Sequence, residues 1–142
     1  MSPQMRSVID QFYLVLPSGC TLRPQETRPI YTLITIDGWP RDVHYEFRTR
    51  NESGELYVEI HIENRKYLFL KDVLESVVTV LPTVQNFSLE YFEERLWPHR
   101  KKWPSVSITL PPYVEGNTAA LVMRELIATT RATIGCVLAE HI

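Results

Sequence analysis

The stretch DVHYEFRTRNESGELYVEIHIE, residues 42–63, decides the fold. It holds two runs of strict alternation. In the first, Val43, Tyr45, Phe47 and Thr49 fall on one side, and His44, Glu46, Arg48 and Arg50 on the other. In the second, Leu56, Val58, Ile60 and Ile62 share one side, with Tyr57, Glu59, His61 and Glu63 opposite. Side chains that alternate with a period of two belong to β-strands. Apolar residues on only one side mean that one face is packed and the other meets water or a ligand.

What the polar face can do depends on how the two strands are paired. Two registers keep the apolar residues together, because they differ by two residues rather than one. If Arg50 pairs with Glu55, His44 lies opposite His61 and Glu46 opposite Glu59. That arrangement gathers two imidazoles and two carboxylates, donor types suited to a divalent metal, but it sets like charges against each other. If Ser53-Gly54 forms a two-residue turn, Arg48 faces Glu59, Glu46 faces His61 and His44 faces Glu63. Each of those pairs attracts, by roughly 0.2–1 kcal/mol. The second register is therefore the expected one, giving a charge-laddered, solvated sheet surface. The metal reading of His44, Glu46, Glu59 and His61 is the alternative.

Outward from this hairpin, Ile30 to Ile36 reads as a further strand, joined to it by the turn Asp37-Gly38-Trp39-Pro40. Before it, Met5, Val8, Ile9, Phe12, Tyr13 and Leu16 recur at helical spacing, with Ser2 and Pro3 as start signals and Pro17-Ser18-Gly19 as the stop. The proline-containing LRPQETRP reads as an extended connector. From residue 65 the period changes. Leu70, Val73, Leu74, Val77, Val78 and Leu81 mark an amphipathic helix ended by Pro82. FSLEYFEERL and SVSITL return to strand character, and Asn117-Thr118 is expected to cap a long final helix. The predicted order is α-βββ-α-ββ-α. It implies a two-layer α+β sandwich in one domain over residues 1–142, with a mostly antiparallel five-stranded sheet and helices on one face.

Length and composition narrow the function classes. The chain has 142 residues, 44% of them hydrophobic and 23% charged, with a net charge of −2. Nucleic-acid binding would then have to come from a local patch rather than from overall charge. The patch that offers itself is RLWPHRKKWP, residues 95–104, in which Arg95, Trp97, His99, Arg100, Lys101, Lys102 and Trp103 interleave cations with aromatic rings. Such residues can neutralise phosphates and stack bases. They also suit a protein partner, or a loop whose Trp rings fold back onto the end of the sheet. Glu90, Glu93 and Glu94 just upstream reduce the positive field.

Cys20 and Cys136 have no metal-type spacing and are expected to be reduced, with a disulfide between them left open. The N-terminus lacks the pattern of a signal peptide, and no apolar run reaches the ~20 residues of a membrane span. A cytoplasmic protein is expected. No nucleophile motif and no glycine-rich phosphate loop is present in the sequence, so no cofactor is expected. Glu59 is followed at nuclease-type spacing by His61 rather than by Lys.

Several segments together resemble a domain of unknown function commonly appended to PD-(D/E)XK nuclease-like regions in bacterial proteins. They are the aromatic first helix VIDQFYLVL, ITIDGWPRDVHYEF leading into a strand, LYVEIHIENRKYLFLKDVLESV, and the acidic-aromatic strand with its basic loop in LEYFEERLWPHRKKWPSVSI. Trp39 and Pro40 stand where that pattern has a small polar pair. The resemblance implies an accessory role in nucleic-acid processing or phage defence and supplies no catalytic residue. The expected function is thus a non-enzymatic binding or accessory module. The alternatives are a small metal-dependent hydrolase using the 42–63 face, and a homodimeric scaffold.

Overall fold

The computed structural model describes residues 3–24, 31–49, 53–96 and 101–141. In chain order these form helix α1 (Pro3–Leu14), strands β1 (Cys20–Pro24), β2 (Tyr31–Ile36), β3 (Val43–Thr49) and β4 (Leu56–Ile62), and a short 3-10 helix (Arg65–Leu70) leading into α2 (Lys71–Val80). Strands β5 (Thr83–Val84), β6 (Phe87–Leu96) and β7 (Lys101–Leu110) and helix α3 (Gly116–Glu140) complete the chain. The strands make one antiparallel sheet in the order β1-β2-β3-β4-β7-β6-β5.

The α+β class matches the sequence reading, but the sheet has seven strands rather than five. Both additional strands are edges. Residues 20–24, the last three of them read as the start of a connector, pair with β2, and Pro24 ends the strand at the sheet margin, where a missing N–H costs nothing. At the opposite margin Thr83-Val84 pairs with Ser88-Phe87 across a turn in which Gln85 and Asn86 take positive φ of 51° and 69°. Paired positive φ values are those of a tight hairpin turn, and Asn tolerates them better than most residues. The strand expected over 105–110 begins at Lys101, so part of the basic loop is strand. The final helix starts at Gly116 with Glu115 in the capping position, one turn-edge earlier than Asn117-Thr118 implied.

One face of the sheet carries the core. Ile34, Val43, Tyr45, Phe47, Leu56, Val58, Ile60, Ile62, Val106 and Ile108 form one cluster with Met5, Val8 and Phe12 of α1, Leu74 of α2, and Val122, Met123, Leu126 and Ile134 of α3. Each such side chain contributes about 1.5–3 kcal/mol on leaving water. Phe12 meets Phe47 edge to face, with ring centroids 5.4 Å apart. The Tyr45 hydroxyl, buried under α3, shares a 2.7 Å hydrogen bond with Thr130 Oγ1, and burial pushes its pKa up. Cys20 and Cys136 are both free thiols. Among the described residues no helix is long and apolar enough to cross a membrane.

Candidate metal centre

The opposite face of the sheet carries the polar residues of β3 and β4, and their pairing is the register that the sequence reading set aside. His44 lies directly opposite His61 and Glu46 opposite Glu59, with Thr49 paired to Leu56. The expected two-residue turn is replaced by a longer connection, in which Gly54 has φ of 71° and the Glu55 N–H donates to Ser53 Oγ. The like residues set opposite each other are unfavourable, but diagonal attraction offsets them. The three attractive pairs that favoured the other register all form here as diagonal contacts: Arg48 with Glu59, His61 with Glu46, and His44 with Glu63. A diagonal neighbour lies farther off than a direct one but is still within reach of long side chains. Attraction between these pairs therefore cannot choose between registers that differ by two residues.

The expected solvated ladder is also corrected. His44, Glu46, Glu59 and His61 are all buried, Glu59 completely so. Large side chains neighbour these residues in the sheet. Leu33 is paired with Glu46, Tyr57 with Arg48, and Trp103 lies two residues from Ser105, the partner of His61. All three large side chains are buried.

Within this enclosure His44, Glu46, His61 and Glu63 each offer a ligand atom, and these four atoms lie within 4.8 Å of one another. The protonation of His44 follows from its outer nitrogen. Nδ1 is 2.9 Å from the Arg41 carbonyl oxygen, which can only accept, so Nδ1 carries the proton. In the neutral ring, Nε2 is then a bare lone pair. It is buried and has no hydrogen-bond partner among the described residues. The carboxylate oxygens before it stand at 3.6 Å (Glu63 Oε1) and 3.7 Å (Glu46 Oε1). His61 Nε2 is 3.4 Å from Glu46 Oε2 and 3.3 Å from Glu59 Oε1, and its Nδ1 is 3.5 Å from Glu63 Oε1. All of these separations exceed the 2.7–3.2 Å of a well-formed hydrogen bond. The separations between candidate donors, 3.6 and 3.7 Å at His44 Nε2 and 3.4 and 3.5 Å at the two nitrogens of His61, are close to the roughly 3.3–3.6 Å between donors set tetrahedrally around a zinc-sized ion, to which His61 can give one of its nitrogens.

Glu59 plays a different part. Arg48 grips both of its oxygens, Nε to Oε1 at 2.8 Å and a terminal nitrogen to Oε2 at 3.3 Å, while the guanidinium lies over the Tyr57 ring. The pair supports His61 from outside, as second-layer carboxylates do at metal-binding histidines. Burial alone would raise the Glu59 pKa. Hydrogen bonding and charge from His61 and Arg48 outweigh it and hold the carboxyl at about 2. For His61, burial opposes protonation, but Glu46, Glu59 and Glu63 together lift its pKa well above the ordinary value. Glu63, whose side chain is 34% exposed, is pulled below the carboxylate range by the two imidazoles despite partial burial.

Of the residues named from sequence, His44, Glu46 and His61 come together as donors, and Glu59 stands behind them. Glu63 was not among the metal candidates. Its signal was there to read, since it follows His61 by two residues and so shares its face. In the basic hairpin, Arg95, Lys101 and Lys102 lie in the strand arms, with Arg95 paired to Lys102, and their side chains lie outside the described residues. Trp97, His99 and Arg100 also lie outside the described residues. Trp103 is buried, which gives that end of the motif an architectural role.

Comparison with known proteins finds no matching family model, no matching curated protein and no matching solved structure.

Proposed function

We propose that this chain binds a divalent transition-metal ion of the zinc class through His44, Glu46, His61 and Glu63. The observation that carries this reading is His44 Nε2: buried, without a hydrogen-bond partner among the described residues, a lone pair in the neutral ring because Nδ1 donates to the Arg41 carbonyl, and facing two carboxylates. In the neutral ring a buried lone pair faces two carboxylates, an arrangement that a bound cation relieves, as would a proton on Nε2. Two imidazoles and two carboxylates are donors that zinc accepts. Titrating the metal-free protein with zinc should raise its thermal midpoint, since a ligand at one hundred times its Kd stabilises by about 2.7 kcal/mol. His44→Ala and His61→Ala should abolish the rise. An unchanged midpoint in the wild type at saturating zinc, or an undiminished rise in both variants, would sink the reading.

Metal-dependent hydrolysis is a second reading, favoured by the unequal burial of the four donors. Three are almost fully buried, whereas Glu63 is partly open to solvent and is the ligand best placed to yield a coordination position to water. Turnover of chromogenic esters that a chelator stops and zinc restores is its test. An accessory role in nucleic-acid processing has its support in the basic hairpin and the family resemblance. A mobility shift that weakens steeply with salt and is reduced in Arg100→Ala or Lys102→Ala is the corresponding measurement.

A further inference from the structure

The polar face continues past the metal donors onto β7. Register places Ser105 beside His61 and Ser107 beside Glu59, with Phe92 and Glu90 of β6 on their far side. Both serines are almost wholly buried, at 1% and 2% exposure, and neither hydroxyl has a hydrogen-bond partner among the described residues. None of the carboxylates of this face accepts a hydrogen bond from them. The oxygens of Glu59 are held by Arg48, and those of Glu46 and Glu63 face the two imidazoles. A buried hydroxyl with nothing to donate to is rare and unfavourable. Two of them, in adjacent same-face positions of one strand, call for an acceptor oxygen supplied from outside the protein.

The local charge says which kind of oxygen. With a divalent ion in place, its charge is cancelled by Glu46 and Glu63, and that of Glu59 is cancelled by Arg48. The loaded centre is then close to neutral and can take a negatively charged ligand, which the acidic face without metal would repel. The side chains at these two positions are also small, and Trp103 on the same strand and Phe92 opposite Ser105 are their bulky neighbours.

We infer that Ser105 and Ser107 floor a subsite for a small oxyanion, a carboxylate or a phosphate, which coordinates the metal through one oxygen and accepts hydrogen bonds from the serines through another. The inference rests on the metal-centre reading. Its test uses the full chain loaded with cobalt(II), whose visible absorption reports the coordination sphere. Inorganic phosphate and acetate are titrated separately into wild type and into Ser105→Ala/Ser107→Ala. A saturable spectral change with either anion is expected in the wild type, and the anion that gives it names the ligand class. The double variant should bind cobalt with unchanged affinity yet need at least tenfold more anion. Equal anion affinity in the two proteins, or a cobalt-loaded wild type indifferent to both anions, overturns the subsite and leaves the hydroxyls to ordered water. A chain that takes up no cobalt at all overturns the metal centre, and the subsite with it.

Discussion

The two faces of the β3–β4 hairpin are built from interleaved residues of the same two strands, yet they obey different rules. On the helix side, Val43, Tyr45, Phe47, Val58, Ile60 and Ile62 need only be apolar and face the same way. Any register that differs by an even number of residues would satisfy them. On the other side the identity of each neighbour matters, because the proposed metal centre requires a set of atoms at fixed separations. A hydrophobic face tolerates slippage in its partners, and a coordinating face does not. The comparison teaches that a sheet can be legible on one side and undecided on the other.

The sharpest way to break this contrast is to damage one face and observe the other. Phe47→Ala removes a fully buried ring that packs against Phe12 and should cost about 3–5 kcal/mol. Calorimetric unfolding measures that loss, and zinc affinity of the remaining folded protein should be unaltered. Opening the helix layer at its seam should cost less. A methyl group on Gly116 would fall 2.9 Å from the Ser7 carbonyl oxygen, so Gly116→Ala should force α1 and α3 apart and lower stability by about 1–3 kcal/mol.

On the polar face the expected costs in stability are below that of Phe47→Ala and similar to that of Gly116→Ala, and the costs in binding are larger. Glu59→Gln keeps the shape of the side chain but removes the charge paired with Arg48, at about 1.5–3 kcal/mol. The same change should weaken zinc binding by about 10–100-fold, because His61 loses its outer carboxylate. A variant that lost stability while binding zinc as tightly as wild type would reduce Glu59 to a structural ion pair.

Titration of the metal-free protein sharpens the comparison last. The Glu59 pKa is depressed to about 2 from an ordinary 4.5. Its contribution to stability is therefore present above pH 4.5 and is lost as the pH falls toward 2. The His61 pKa is raised above its ordinary 6.5, so its contribution is complete below that value and is lost as the pH rises through the folded-state pKa. The thermal midpoint should accordingly decline on both sides of a mildly acidic maximum. Glu59→Gln should flatten the acid limb, and His61→Ala the alkaline one. Limbs that persist in both variants would place the titration elsewhere.

Much of this protein can be read from its residues one element at a time. Periods of two and of 3.6 mark the long strands and the helices, and prolines and glycines mark most of the breaks, because those signals depend only on near neighbours in the chain. The edge strands at residues 20–24 and 83–84 escaped that reading. Such short segments carry no period of their own and are strands only because a longer partner lies beside them.

The sequence by itself determined that His44, Glu46, His61 and Glu63 share one side of a hairpin, since alternation sends every second side chain the same way. Only the tertiary structure decided that His44 stands opposite His61, that Leu33, Tyr57 and Trp103 bury the cluster, and that Ser105 and Ser107 lie next to it. The reason is physical. Direct and diagonal pairing offer the same attractive contacts, so local electrostatics leaves the two registers undecided. The choice falls to the loop that joins the strands and to pairing with β7, a strand more than forty residues further along the chain.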